Sequence, residues 1–197
     1  MIIDASSRLK YEKSNELNVE EPPVLECFKD SDFNQLINAI NSHQIQLADK
    51  NKYMPIDLAS NNDYKLVSTT FYELQILGYI PIVTNPEMNS RLKDNPTIIR
   101  QLVDRGALVQ VNVSSVLGDH GKVIQKYAIK LCKKNLVHFI KSDTHNSIDK
   151  IFLLKKAYKY LQKKVSVEYV QFLKENEKHL IKGTDFHVPD SKNRKLK

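Results

Sequence analysis

Two residue types able to do metal or acid–base chemistry stand two positions apart in Ser-Asp-Thr-His, residues 142–145. Asp143 and His145 follow a short apolar run and project from the same turn of chain. A carboxylate oxygen together with an imidazole nitrogen suits a divalent cation. The same spacing fits a helix start, with Asp143 or Asn146 capping a helix that follows residue 147. Local spacing therefore leaves both interpretations open.

A second candidate ligand, Asp57, ends another apolar run, between Ile56 and Leu58. An acid embedded in an apolar strand costs several kcal/mol unless it is paired or bound to a metal. A helix cap or a buried salt bridge would explain Asp57 equally well. Polar residues follow the other apolar runs in the same manner, so we group them as one set: Thr84, Asn85, Glu87, Asn112, Ser114, Ser115 and Ser142.

The elements that would position these residues alternate between strand and helix. Short apolar runs predict strands at 53–59, 79–84, 107–113 and 136–142. Helical spacing predicts helices at about 64–78, 95–106, 121–135, 147–162 and 166–180, with Asn95 as an N-cap and Gly78 and Gly106 as stops. Alternation of this kind is typical of parallel βα units, whose strand carboxyl ends share one rim. Catalytic groups of α/β folds gather at that rim.

The charge of the chain is unevenly distributed. The net charge is +7, and residues 151–197 carry all of it, whereas residues 1–150 hold equal numbers of acidic and basic residues. Such a field favours an acidic partner: nucleic acid, an anionic surface or an acidic protein segment. A solvated, lysine-rich helical face is the simpler explanation.

Composition also indicates a location and a domain plan. Cys27 and Cys132 do not form a disulfide framework, no apolar run approaches the ~18 residues of a membrane span, and the first residues lack a secretion signal. We therefore predict a cytoplasmic protein without a transmembrane segment. We divide it into an irregular segment at 1–32, an α/β domain at 33–182 and a basic, flexible tail at 183–197.

Two long blocks carry a family resemblance: "FYELQILGYIPIVTNPEMN", residues 71–89, and residues 94–146, which end in "SDTHN". They resemble the bacterial manganese-dependent protein-tyrosine phosphatases of capsule and exopolysaccharide gene clusters, which belong to the polymerase and histidinol phosphatase (PHP) superfamily. The resemblance covers roughly residues 52–150. It implies a truncated, distorted (βα)7 barrel of the PHP type, with mostly parallel strands and outer helices. It also implies a metal cluster at the strand carboxyl ends that activates a water molecule.

The resemblance places metal ligands on this sequence. Asp143 and His145 match the family's Asp-x-His, and Asp57 stands where a family strand carries a glutamate, with a side chain one methylene shorter. Asn85 replaces a histidine of the family's Ala-His-Pro-Glu-Arg block, and an amide oxygen is a weaker ligand than imidazole. The expected cofactor is Mn²⁺ or another divalent metal, and these four positions are too few for a cluster of ions.

The resemblance also indicates residues that would meet substrate. Glu87 keeps the glutamate of that block, and Lys150 falls near a family arginine, so both are candidate catalytic residues. Met88 replaces the block's phosphate-contacting arginine and cannot hold a phosphate. At the amino terminus, Ser6 and Arg8 stand roughly where the family has its first two histidines.

Three functions follow from these substitutions. The first is a degenerate family member with an impaired metal site that binds a tyrosine-phosphorylated protein, such as a capsule-regulating tyrosine kinase, without turnover. The second is an active phosphotyrosine phosphatase with a reduced metal site. The third is nucleic-acid or anionic-surface binding by the basic tail, which is disfavoured because Tyr158 follows the helical spacing of Leu154 and Leu161. Whether the chain turns substrate over is left open by the sequence.

Two further expectations concern packing. An incomplete barrel would expose sheet edges unless residues 1–32 or a second copy covers them, so a homo-oligomer is a reasonable expectation. We predict that His120 lies in a solvated loop and that His138, which alternates within a strand, is a packed core residue or lies on a face of the sheet. We also expect no histidine near enough to activate Ser114 or Ser115 as a nucleophile.

Overall fold

A computed structural model describes residues 28–29, 52–58, 64–142, 146–182 and 184 of the chain. The strands are β1 (Phe28–Lys29), β2 (Tyr53–Asp57), β3 (Ile80–Thr84), β4 (Leu108–Asn112) and β5 (Phe139–Lys141). The helices are α1 (Tyr64–Ile76), α2 (Ser90–Asp94), α3 (Thr97–Asp104), α4 (Val113–Leu117), α5 (Lys122–Lys133), α6 (Ser147–Lys164) and α7 (Val167–Lys182). Strand therefore alternates with helix, as the sequence predicts.

The strands form one parallel sheet in sequence order, β1-β2-β3-β4-β5. This confirms the expected α/β class with parallel strands. Within the described part of the chain β1 and β5 are the two edges of the sheet, so these strands form an open sheet. Closure into the seven-stranded barrel stays a prediction.

The first edge of the sheet differs from the expectation. We predicted an irregular segment at 1–32, but β1 lies inside it and pairs with β2, with Lys29 opposite Asp57. Two residues of the edge of β2 are thereby covered by the chain itself. The domain boundaries at 32 and 182 stay predictions, and the tail at 185–197 lies outside the described residues.

The sheet has two different faces. Successive side chains of a strand alternate between faces, and the face that most of the helices cover, here called the outer face, carries the larger core. That core includes strand residues Met54, Val83 and Val109 together with helix residues Leu74 and Ile99. The opposite, inner face has a smaller apolar cluster made of Tyr53, Ile82, Leu108, Phe139 and Leu180.

The start of β5 and the start of α3 differ from the predictions. The N–H of Val109 donates to Nδ1 of His138 at 3.0 Å, so a side chain occupies a backbone donor that a strand would use and β5 begins only at Phe139. His138 is fully buried, which confirms its packed position. Pro96, and not Asn95, precedes the first helical residue of α3, and it lacks a side-chain cap.

Helix α6 begins with a capping side chain, as the helix-start interpretation of residues 142–146 predicts. Asn146 is its N-cap, and Oδ1 of Asn146 accepts the N–H of Ile148 at 3.0 Å. No helix in the described ranges is long and apolar enough to cross a membrane. The cytoplasmic location stays a prediction.

Candidate functional site

The carboxyl ends of β2, β3 and β4 place a row of polar residues on the inner face. The strand register sets Asp57 beside Thr84, and Thr84 beside Gln110. Asp57 is exposed at the end of its strand, so the desolvation cost that we expected from its apolar neighbours does not arise there. Thr84 is buried, and its hydroxyl donates to the carbonyl of Ile56 at 3.2 Å. This row forms the rim of the candidate site.

The turn after β3 is held by hydrogen bonds to its neighbours. The N–H of Asn85 donates to the carbonyl of Gln110 at 3.0 Å, and the N–H of Met88 donates to the carbonyl of Asn85 at 2.9 Å. Asn85 has a left-handed backbone with φ +48°, a conformation that asparagine tolerates better than most residues. Asn89 closes the turn: its Nδ2 donates to the carbonyl of Leu58 at 2.7 Å. The half-buried Asn85 is thus presented at the rim in a fixed backbone.

Glu87, a candidate catalytic residue, is part of this turn, and its side chain is fully buried. Its Oε1 accepts the N–H of Asn112 at 2.8 Å, which ties the turn to the end of β4. Its Oε2 is buried and has no hydrogen-bond partner among the described residues. Burial raises the pKa of the Glu87 carboxyl, and the Asn112 N–H acts in the opposite direction. In this position the carboxyl anchors the rim and is shielded from solvent.

A serine and a histidine meet beside Glu87, contrary to our expectation for the strand-end serines. Oγ of Ser115 lies 3.2 Å from Nδ1 of His120. Gly118, with φ +96°, ends α4 and reverses the direction of the chain, which brings His120 back beside Ser115. The separation of five residues across a Gly-x-x-Gly loop was the available sequence signal. Ser115 is fully buried, so its hydroxyl is not presented to a ligand, whereas His120 is exposed as predicted.

Lys150, the other candidate catalytic residue, lies in the first turn of α6 and is half-buried. Burial raises the pKa of Glu177 on α7; the hydroxyl of Tyr158 and the charges of Lys150 and Lys174 oppose that shift. Tyr158 donates its hydroxyl hydrogen to Oε2 of Glu177 at 2.9 Å. The ammonium of Lys150 therefore lies within electrostatic range of α7.

Only some of the candidate metal ligands lie among the residues that the structure describes. Asp143 and His145 lie outside the described residues. Within the ranges that the structure does describe, no group of three His, Cys, Asp or Glu side chains could hold a metal ion. Asp57 and Asn85 together offer two oxygen donors at the rim, fewer than the three protein ligands of an ordinary catalytic metal. The described side chains alone do not fit a metal cluster.

The fold and the rim define an α/β protein whose candidate site lies at the carboxyl ends of a parallel sheet. Residues 18–182 match the family described as capsular polysaccharide synthesis, CpsB/CapC. The match spans most of the chain, and the chain belongs to the CpsB/CapC family. The family resemblance inferred from the sequence is thereby confirmed.

Individual relatives agree with this assignment. CapC of Staphylococcus aureus is 38% identical over 124 residues, which cover 63% of this chain and 49% of CapC. YwqE of Bacillus subtilis (strain 168), named a tyrosine-protein phosphatase, is 34% identical over 148 residues, covering 74% of this chain and 58% of YwqE. The chain thus spans about half of the length of these relatives.

A solved structure matches as well. It comes from crystal structures of YwqE from Bacillus subtilis and CpsB from Streptococcus pneumoniae, described as unique metal-dependent tyrosine phosphatases. The TM-score is 0.70 at 29% sequence identity, and the match covers 79% of this chain and 64% of the other. The likeness confirms the α/β architecture of the chain.

Proposed function

We propose that this chain recognises tyrosine-phosphorylated proteins in the regulation of capsule or exopolysaccharide synthesis, through a rim whose metal site is impaired. The proposed partner is a phosphotyrosine-bearing protein such as a capsule-regulating tyrosine kinase. Membership of the CpsB/CapC family supports the setting. The names of YwqE and CpsB as tyrosine-protein phosphatases support the chemistry of the ligand.

The turn after β3 carries the proposal that the metal site is impaired. Asn85 presents an amide where the family resemblance places an imidazole. Hydrogen bonds of Asn85 and Met88 hold the turn in shape with protein groups alone. Glu87 adds a further anchor through the N–H of Asn112. The rim thus keeps its shape while one donor position has a weaker ligand.

A divalent cation, Mn²⁺ or another, would depend on few donors here. Asp57, with Asp143 and His145, could hold at most a single ion, and Asn85 would add one weak amide oxygen. Loss of one ligand or of its support commonly costs about 10–100-fold in metal affinity or activity. We therefore assign no hydrolytic step to a bound metal in this chain.

Restoring the substituted residues tests the proposal directly. We expect Asn85→His/Met88→Arg to raise the rate of hydrolysis of a phosphotyrosine peptide in Mn²⁺ by at least about tenfold, because one metal ligand and one phosphate contact return. Histidine accepts a left-handed backbone more often than most residues. Met88 is 47% exposed, so an arginine there does not bury its charge.

Two controls make the assay decisive. Asn85→Gly/Met88→Arg keeps the left-handed turn and the arginine but supplies no ligand, so it should show no gain. Asp143→Ala/His145→Ala sets the background rate, and the unaltered chain should lie within a few-fold of it. The proposal fails if the unaltered chain is clearly active and Asp143→Ala/His145→Ala is inactive; the chain is then a phosphatase with a reduced metal site.

A further inference from the structure

A basic groove lies between helices α5 and α6, outside the rim. Its cavity volume is about 430 Å³. Helix α4 packs against both α5 and α6, so the two helices stand apart over it. This α5–α6 groove is lined from one side by Gln125, Lys126, Ile129, Lys130, Lys133 and Lys134, and from the other by Tyr160 and Lys164.

The stability of the helix explains only some of the lysines of α5: Lys130 and Lys133 lie in its last turn, where a cation offsets the helix dipole, but the spacing of the set does not favour the helix. Its lysines recur at 122, 126 and 130, so like charges stand four residues apart and destabilise the helix. Helix α5 contains no acidic residue. Among the described side chains, no carboxylate forms an ion pair with Lys126, Lys130, Lys133 or Lys134. The helix dipole does not account for Lys126, which lies between two like charges outside the last turn of α5.

The groove follows helix α5 from Gln125 in its first turn to Lys134 at its C-cap, whereas α6 lines it only near its own end, with Tyr160 and Lys164. Lys122 starts α5 directly after the loop that carries His120, and Nε2 of Gln125 donates to the carbonyl of Val116 in α4, the helix that follows β4, so this end of the groove lies on the rim side of the sheet. The twelve residues of α5 extend for roughly 18 Å at 1.5 Å per residue. About six residues of extended polypeptide span that length. A chain held at the rim can therefore continue along the groove.

The floor of the groove favours a polypeptide over a nucleic acid. Ile129 and Tyr160 are half-buried and give it an apolar strip between the lysines. The ammonium of Lys164 lies 5.7 Å from the centre of the Tyr160 ring, so a cation already occupies a face on which a base would stack. Acidic side chains can pair with the lysines while an apolar side chain packs on the strip.

We propose that the α5–α6 groove docks an acidic polypeptide segment adjacent to the phosphotyrosine of the same partner. The link to phosphotyrosine rests on the proposed function, whereas docking of an acidic segment does not. The groove contributes affinity and partner specificity by binding the acidic segment, and the rim binds the phosphotyrosine side chain. Because the lysines are solvent-exposed, this docking weakens as salt concentration rises.

Two matched variants test the docking. One replaces the groove lysines Lys126, Lys130, Lys133 and Lys134 with glutamine. The other replaces four exposed lysines of α6 that do not line the groove with glutamine: Lys155, Lys156, Lys159 and Lys163. Each removes the same charge from the full chain. The probe is a fluorescent, glutamate-rich peptide with one unphosphorylated tyrosine, and its binding is followed by anisotropy without metal.

We expect the groove variant to weaken binding of this peptide about tenfold, the combined effect of four exposed ion pairs of ordinary strength. The α6 variant should change binding less than about twofold. Equal losses in both variants would mean attraction by net charge alone and would overturn the proposal. Circular dichroism and urea unfolding of both variants confirm that each is folded.

A single-stranded oligonucleotide with the same net charge as the peptide tests whether the groove binds nucleic acid instead of an acidic polypeptide. If it binds more tightly than the peptide and its binding is lost in the groove variant, the groove is a nucleic-acid site and the proposal is wrong. A comparison of the phosphorylated and unphosphorylated peptides distinguishes phosphotyrosine recognition at the rim from docking of an acidic segment in the groove. Equal binding of both peptide forms to the unaltered chain contradicts phosphotyrosine recognition at the rim and leaves groove docking intact.

Discussion

The polar groups of the rim turn, residues 85–89, and those of the α5–α6 groove differ in whether the protein itself supplies their partners. In the turn, the Glu87 carboxyl and the backbone groups of Asn85 and Met88 are engaged by the protein itself. In the groove, Lys126 and Lys130 have neighbours of like charge and no carboxylate partner within the part of the chain that the structure describes. The first arrangement stabilises the fold, whereas the repulsion of Lys126 by Lys122 and Lys130 in the second costs stability.

This difference shows how chemically capable residues can be sorted into structural and functional ones. A buried carboxyl such as that of Glu87 attracts attention because it could act as an acid or a base. Its hydrogen bond to Asn112 nevertheless gives it a sufficient structural role. Exposed lysines attract little attention, yet the helix dipole explains only the last-turn lysines of α5 and leaves Lys126 unexplained, so a ligand is the better explanation for the whole set.

The largest effect is expected where the rim is tied to β4. Glu87→Ala leaves the buried N–H of Asn112 without an acceptor, which should cost about 1–3 kcal/mol of the free energy of unfolding. Urea unfolding at neutral pH measures it. Glu87→Gln keeps an acceptor oxygen and should lose less than about 1 kcal/mol. Equal stability of the alanine variant and the unaltered chain would remove the structural role of Glu87.

The pH dependence of stability tests the structural role of the Glu87 carboxyl in a second way. Burial raises the pKa of Glu87 in the folded chain above the ordinary glutamate value of 4.5, so the folded state holds its proton more tightly than the unfolded state. Stability relative to Glu87→Gln should therefore be greatest below pH 4.5 and fall as pH rises from there through the folded pKa. Parallel stability curves for the two proteins would show that the carboxyl is not perturbed.

The smallest effect concerns the groove and has the opposite sign. Lys126→Glu turns two repulsive pairs of α5, with Lys122 and Lys130, into attractive ones. It should raise the free energy of unfolding by roughly 0.5 kcal/mol while it weakens binding of the acidic peptide. Thermal or urea unfolding beside the anisotropy assay checks both results. A loss of stability would mean that the lysines support the fold after all.

The strands were predictable because each is a short apolar run between turn signals. The ends of β3 and β4 fall within one residue of the predictions. Helices α2 and α4 were missed, since five residues give too little periodicity to separate a helix from a turn. The start of β5 was missed because the side chain of His138 takes the place of a backbone partner.

The site was less predictable, since its contacts join residues that are distant in sequence. Nothing local signals that Glu87 bonds to the N–H of Asn112, 25 positions later. The α5 lysines escaped notice for another reason. Residues 1–150 have no net charge, and that average hides a helix with only basic charged residues. The sequence therefore indicated the rim but assigned the basic surface to the tail alone.

The decisive test of the impaired metal site is the number of Mn²⁺ ions that the purified chain binds at saturation, determined by calorimetry and elemental analysis. We expect at most a single weakly held ion per chain, with tighter binding in Asn85→His. Two or more tightly held ions in the unaltered chain would show that its donors suffice for a metal cluster, and would contradict the impaired site.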